Sequence, residues 1–216
     1  MRQNERGKRF EACGRNRNYL AFSTVIVIMT RAFKSQFTVL MTMFLAMWAV
    51  FLLTSITGGF FLYLGVIPRT VIGLRGILFA PFLHGSLNHI VANSIPFLLF
   101  GWLILLRDPR HFVPVTMMAM IGSGLMAWLF GAPGSIHIGA SGVIFGYLGF
   151  LMLSGWFARS FASIALSIVV IFLWGGMVIG VMPGATGISW QAHLGGLIAG
   201  IYAARSYRTP RGLTAA

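Results

Sequence analysis

Ser141 and His193 are a serine and a histidine whose side chains could act together as a nucleophile and its base. Ser141 lies in the segment HIGASG, residues 137–142, where a loop of small residues meets an apolar stretch. The chemistry requires the histidine to lie within about 2.6–3.2 Å of the serine hydroxyl, so that it can take the proton. A serine before an apolar stretch can also cap a helix by accepting backbone N–H groups. The rest of the sequence has to decide between these two interpretations.

A second group of polar residues lies in the segment HGSLNHIVAN, residues 84–93. It contains His84, His89 and Asn93, of which the last two are four residues apart and share one face of a helix. Each has an ordinary structural interpretation when taken alone, because a histidine can bond a backbone carbonyl and an asparagine can hold two helices together. Their position relative to Ser141 therefore matters more than their identity.

The composition indicates an integral membrane protein. Hydrophobic residues make up 57% of the 216 positions and charged residues only 9%, whereas about 25% of residues are charged in soluble domains. The net charge of +13 arises with only three acidic residues, Glu5, Glu11 and Asp108. Nucleic-acid binders carry basic residues on a folded polar face, but here the charges separate long apolar stretches, so no nucleic-acid partner is expected. The single cysteine, Cys13, excludes an intrachain disulfide and a thiolate metal cluster.

Four stretches without charged residues contain the elements that must position these groups. They lie between Lys34 and Arg69 and at 76–106, 111–158 and 160–204. A span needs about 20 apolar residues, so the last two stretches each hold two helices, divided by the loops at 131–141 and 182–187. We therefore expect an all-α membrane protein with a compact bundle of six transmembrane helices, near 37–57, 86–106, 112–130, 141–157, 161–181 and 189–205.

The flanking segments and the basic residues predict the orientation of this bundle. A basic tail at 1–36 and a short tail at 207–216 flank a membrane domain at 37–206, and the apolar stretch at 19–30 is too short to span. With six spans, fourteen Lys and Arg residues fall on the side of the termini and two, Arg69 and Arg75, on the other. Positive residues concentrate on the cytoplasmic side. Both termini are therefore expected in the cytoplasm, in a multi-pass protein of a bacterial cell membrane.

This topology brings the polar residues to one depth. Ser141 begins the fourth helix at its outer end, and His193 lies four residues into the sixth, about 6 Å below its outer end. The first turns of the second helix hold His84, His89 and Asn93 at the same level. Ionisable residues inside a membrane are costly and are functional candidates by default, so their shared depth favours a site over separate structural roles.

Glycine spacing supplies a way for the fourth and sixth helices to approach closely. The fourth helix carries Gly142 and Gly146, and the sixth carries Gly196 and Gly200. Each pair has the small-xxx-small pattern that lets helix backbones meet. Such patterns also occur for packing alone, but these two lie on the helices that carry Ser141 and His193.

Three motifs together resemble the rhomboid family of intramembrane serine proteases. GASG at 139–142 is similar to the family's GxSG motif, AHLGGLIAG at 192–200 to its HxxGxxxG helix, and HGSLNHIVAN at 84–93 to its H…HxxxN segment. The motifs stand in the family's order on helices two, four and six, and the resemblance covers residues 75–205.

The resemblance implies a nucleophile, Ser141, and a general base, His193. It implies that the oxyanion is held by His89, Asn93 and the backbone N–H of Ser141. A carboxylate is not expected beside His193, because all three acidic residues fall on the cytoplasmic side; in the family an aromatic ring packs against this histidine. The resemblance also implies supporting roles for Gly139, Phe145 and His84. Position 145 is phenylalanine in this sequence, whereas the family more often has tyrosine there.

The implied function is hydrolysis of peptide bonds in or near transmembrane segments of other membrane proteins by a Ser–His dyad, within the lipid bilayer and without a cofactor or metal. A metalloprotease would need a ligand set such as HExxH, which is absent. A transporter would carry polar groups near the membrane midplane, whereas here they gather toward one face. A catalytically inactive relative that binds or escorts membrane proteins is the main alternative, since a fold does not guarantee an activity.

Overall fold

The computed structural model describes residues 2–184 and 187–207, with side chains from residue 27 onward. These residues form helices and connecting turns and contain no strand beyond one isolated antiparallel bridge between Val66 and His137, which confirms the all-α prediction. The helices are α1 (Arg2–Ile56), α2 (Gly76–Phe79), α3 (Leu87–Arg107), α4 (Phe112–Phe130), α5 (Ser141–Ala158), α6 (Phe161–Trp174) and α7 (Trp190–Ser206).

Five segments of the described residues are long and apolar enough to cross a membrane: Val27–Ile56, Leu87–Arg107, Pro109–Phe130, Ser141–Ala158 and Phe161–Val181. The sixth expected span corresponds to α7, which has 17 residues. The helix expected at 37–57 forms the last part of α1, and the expected tail at 1–36 overlaps its first part. The basic residues Arg31 and Lys34 do not interrupt α1, because lysine and arginine are good helix formers. Of the tail expected at 207–216, only residue 207 lies within the described part.

Helix α5 forms the centre of the molecule. It is apolar on all sides, with buried residues in every turn from Gly142 to Gly155, as expected for a helix enclosed by others. The glycines of α7 bring that helix against it, since a Cβ atom on Gly196 would overlap the carbonyl oxygen of Gly142, and one on Gly200 that of Gly146. The two backbones therefore touch directly, as the small-xxx-small spacing predicted.

The segment between α1 and α3 consists of short 3₁₀ turns and the four-residue α2. Its two arginines bond backbone carbonyls, Arg69 Nη1 that of Leu129 at 3.1 Å and Arg75 Nη2 that of Tyr63 at 3.0 Å. The carbonyl of Ala80 accepts the N–H of Gly139 at 2.8 Å. This segment is thereby attached to the loop that precedes Ser141.

The first two turns of helix α6 pack against α5, where Ser163, Ile164 and Ser167 lie around Gly155. The Ser167 hydroxyl donates to the carbonyl of Leu151 at 2.7 Å and accepts the N–H of Gly155 at 2.9 Å, so it inserts between two groups of the α5 backbone. At the other end, α6 gives way to a 3₁₀ segment, Gly175–Val181, that begins with two glycines. Glycine is a poor helix former, which accounts for the change of geometry.

Candidate active site

The structure brings Ser141 and His193 within hydrogen-bonding distance. The Nε2 atom of His193 lies 2.8 Å from the Ser141 hydroxyl oxygen, which is the separation required between a nucleophile and its base. Ser141 is the first residue of α5, but the N-cap position belongs to Ala140, which has no capping side chain. The helix-capping interpretation of Ser141 is therefore wrong for this fold, and its hydroxyl is directed to the histidine.

Two neighbours orient the imidazole of His193, which is only 8% exposed. Its Nδ1 atom lies 2.9 Å from the backbone carbonyl oxygen of Gly180. Because a carbonyl can only accept, Nδ1 carries the proton, and the lone pair of Nε2 faces Ser141. The ring of Phe145 stacks on the imidazole with centroids 4.1 Å apart and an interplanar angle of 10°.

Gly180 is the group at this site that the sequence did not reveal. It belongs to the 3₁₀ segment after α6, and it acts through its backbone, so no side-chain motif marks it. A Cβ atom at this position would lie 2.9 Å from Cζ of Phe145 and 3.4 Å from Nδ1 of His193. The absence of a side chain is thus the only sequence signal that could have identified it.

His89 and Asn93 lie together beside the loop that leads to Ser141. A Cβ atom on Gly139 would be 2.5 Å from Nε2 of His89 and 3.5 Å from Nδ2 of Asn93, so both side chains face this glycine. Gly139 has a φ of +107°, a conformation that glycine adopts without strain. The amide nitrogen of Asn93 is buried and has no partner among the described residues, which leaves a donor available next to Ser141.

His84 stands behind His89 rather than at the surface of the site. It is 1% exposed, and its ring meets the edge of the His89 ring at a centroid distance of 4.9 Å. Ser86 caps α3, the helix that carries His89, and its hydroxyl accepts the backbone N–H of His89 at 3.2 Å. His84 thus contacts the site through His89.

An open cavity of about 620 Å³ joins these groups, and its walls include Ser141, His193, His89 and Asn93. Further polar wall residues come from the loop before α5 and from the start of α7, namely Ser135, His137, Ser189 and Gln191. A cavity of this size has room for several water molecules. The nucleophile candidate is therefore reachable by water although it sits among apolar helices.

Asp108, the acidic residue among those whose side chains the structure describes, is not among the residues that line this cavity. It belongs to the loop between α3 and α4, whereas Ser141 follows the loop at the other end of α4. Its carboxylate accepts two side-chain hydrogen bonds from Arg110, at 3.0 and 2.7 Å. Among the side chains that the structure describes, those of residues 27–184 and 187–207, no group of three or more His, Cys, Asp or Glu is arranged to hold a metal ion.

Comparisons with known proteins agree with the motifs and the geometry. The family model described as "Rhomboid domain" matches residues 73–209. An uncharacterised protein of Mycobacterium bovis is 39% identical over 181 residues, which cover 80% of this chain and 75% of that protein. One from Mycobacterium leprae is 44% identical over 151 residues, covering 66% and 60% respectively. The RHOMBOID-like protein 1 of Arabidopsis thaliana is 32% identical over 126 residues, covering 55% of this chain and 30% of that protein. The resemblance drawn from the three motifs is thus confirmed, and the chain belongs to the rhomboid family.

Proposed function

We propose that this protein is an intramembrane serine endopeptidase in which Ser141 is the nucleophile and His193 the general base. The observation that carries the proposal is the oriented pair: Nε2 of His193 lies 2.8 Å from the Ser141 hydroxyl while Nδ1 is engaged by the Gly180 carbonyl. A serine with only a packing role would not require a histidine held in this way, with Nδ1 bonded to a carbonyl and Nε2 facing the serine hydroxyl.

The proposed reaction proceeds in two steps. In the first, the Ser141 oxygen attacks the carbonyl carbon of the scissile peptide while Nε2 of His193 takes the hydroxyl proton. The tetrahedral intermediate collapses when His193 returns this proton to the departing amine, which leaves an acyl group on Ser141. In the second, a water molecule from the cavity attacks the acyl carbon, His193 takes its proton, and the serine hydroxyl is restored.

The negative charge that develops on the carbonyl oxygen requires preorganised donors. We assign this role to Asn93 Nδ2, His89 and the backbone N–H of Ser141. The unpartnered amide of Asn93 supports the assignment, because a buried donor without an acceptor is costly unless a ligand completes it. The N-terminus of α5 adds a positive dipole at the same point.

The proposed substrates are transmembrane segments of other membrane proteins. A transmembrane helix hides its carbonyl groups in hydrogen bonds, so a substrate has to unwind locally before Ser141 can attack. The water-accessible cavity beside the dyad would accept such an extended segment and solvate its released backbone groups.

We also propose that the chain is a multi-pass bacterial membrane protein with six spans and cytoplasmic termini. The basis is the distribution of lysine and arginine, fourteen on one side and two on the other. Reporter fusions test this orientation. A fusion after Ala216 should report the cytoplasm and one near Gly134 the outer side, and a C-terminus that reported outside would contradict the common depth of the site residues.

The function is tested by incubating the purified protein in detergent with a transmembrane substrate and comparing the parent with Ser141→Ala and His193→Ala. Both variants should lose cleavage while keeping the thermal midpoint of the parent, and their losses should not add because the two residues act as a unit. Ser206→Ala, at the far end of α7, is the matched control and should cleave normally. Substantial cleavage by Ser141→Ala would refute the assignment, and a parent that binds but never cleaves such substrates would indicate the inactive relative.

A further inference from the structure

His137 makes a second serine–histidine contact next to the first. Its Nδ1 atom lies 2.6 Å from the hydroxyl oxygen of Ser189. The two residues are 52 positions apart, as are Ser141 and His193. His137 precedes Ser141 by four residues, and Ser189 precedes His193 by four residues. In the second contact the histidine lies in the loop before α5 and the serine at the start of α7, the reverse of the first contact.

The surrounding hydrogen bonds determine which atom donates in this contact. The Ser135 hydroxyl lies 2.6 Å from the carbonyl oxygen of Ala132 and uses its single proton there. It can therefore only accept from Nε2 of His137, which is 3.0 Å away. In the neutral ring Nδ1 is then unprotonated and accepts the hydroxyl proton of Ser189. Burial lowers the pKa of His137, which favours the neutral ring.

Ser189 holds the N-cap position of α7, yet its hydroxyl forms no capping hydrogen bond. Serine at this position ordinarily accepts a backbone N–H of the first turn. Here the hydroxyl bonds His137 instead, while the Ser189 carbonyl accepts the N–H of His193 at 3.1 Å. Ser189 therefore connects His137 directly to the turn that carries the proposed base.

The rest of the loop is built to hold the His137 ring in place. The backbone of His137 exchanges two hydrogen bonds with Val66, at 2.9 and 3.0 Å. A Cβ atom on Gly131 would overlap Nε2 of His137, so this glycine leaves the space that the ring occupies. The imidazole is thus anchored from both its backbone and its two nitrogens.

We propose that His137 is a positioning residue for the peptidase reaction: through Ser189 it fixes the first turn of α7 and thereby keeps His193 against Ser141. The inference rests on the proposed function. The side chain of His137 bonds Ser135 and Ser189, so His137 acts on the dyad through the single hydrogen bond to Ser189.

The test measures the rate at which a fluorophosphonate probe labels Ser141, because labelling requires the dyad but no transmembrane substrate. His137→Phe and Ser189→Ala should each lower this rate about threefold to tenfold, the range expected for one hydrogen bond. The double variant should be no slower than the single ones, since both remove the same bond. Ser189→Thr, which keeps a hydroxyl, should restore most of the rate. With a transmembrane substrate, kcat should fall while KM stays near the parent value.

The outcomes separate this proposal from the proposed function. If Ser141→Ala is labelled as fast as the parent, the peptidase assignment fails. If the parent is labelled and Ser141→Ala is not, the peptidase assignment stands. If folded His137→Phe is then labelled at a rate within twofold of the parent, the positioning role is refuted. Losses that multiply in the double variant would refute it as well. Should His137→Phe fail to fold, the comparison of Ser189→Ala with Ser189→Thr decides.

Discussion

A single methyl group at Gly196 should separate the two helices that form the dyad. A Cβ atom there would overlap the carbonyl oxygen of Gly142 and lie 2.8 Å from its carbonyl carbon. Gly142 follows Ser141 directly, and Gly196 is three residues after His193. The contact that the methyl group would disrupt is therefore the contact that sets the distance between nucleophile and base.

The expected size of the effect follows from this geometry. Real Cβ atoms essentially never approach another heavy atom within 3.0 Å, so α7 must move away from α5 by about 1 Å, and a displacement of this size can cost about 10² in rate. The Ser141–His193 distance would rise from 2.8 Å beyond the limit for a useful hydrogen bond. Overpacking a tight contact also costs about 1–3 kcal/mol of stability.

The assay compares Gly196→Ala with Gly176→Ala, whose Cβ atom would meet no heavy atom within 4 Å. For each variant, kcat for a transmembrane substrate, the fluorophosphonate labelling rate and the thermal midpoint in detergent are measured. Gly196→Ala should lose about 10² in both rates, and Gly176→Ala should retain them. A folded Gly196→Ala protein with the parent kcat would refute the argument that backbone contact between α5 and α7 sets the dyad distance.

Three further predictions concern single side chains. Phe145→Tyr keeps the ring stacked on His193 and should retain kcat, whereas Phe145→Leu removes the stack and should lower kcat about threefold to tenfold. Asn93→Ala should lower cleavage by about 10²–10³, as expected for one oxyanion donor, and a fluorophosphonate probe should still label the variant; cleavage at the full rate would contradict the role. Asp108→Asn should retain activity and lose less than about 1 kcal/mol of stability, because its partner Arg110 is largely exposed. Burial raises the pKa of Asp108, but the hydrogen bonds from Arg110 outweigh it and leave the pKa below its ordinary value. The ion pair therefore stabilises the fold above about pH 4 and loses this contribution as the pH falls through the lowered pKa, so the thermal midpoints of Asp108→Asn and the parent should converge in acid.

The amino-acid sequence alone predicted the helical membrane fold and the set of residues that share one site. Long uncharged stretches have to span a bilayer, and the loops that divide them determine which helix ends lie at the same level. The common depth that we expect for Ser141 and His193 follows from this counting. The glycine spacing predicted the close approach of α5 and α7, because small residues let two helix backbones come close together.

The sequence did not determine where α1 begins or how α6 ends. The predicted first span begins after Lys34, the last charged residue before it, but lysine and arginine continue a helix as readily as most apolar residues do. Gly175 and Gly176 weaken the helix at the end of α6, but two glycines do not specify that the chain continues as a 3₁₀ segment. Hydropathy measures partition into a membrane and carries no information on helix geometry.

The tertiary structure decided how the imidazole of His193 is oriented. The sequence predicted that no carboxylate accepts a hydrogen bond from His193. In the structure, the acceptor for Nδ1 is the backbone carbonyl of Gly180, 13 residues before His193. Every residue has a carbonyl, so no residue type marks the one that will be used. The contact between His137 and Ser189 was likewise invisible, since a loop histidine and a serine at a helix start have ordinary uses of their own. Side-chain chemistry can be read from residue types, whereas the partner that a backbone group or a loop side chain finds depends on how distant segments pack together.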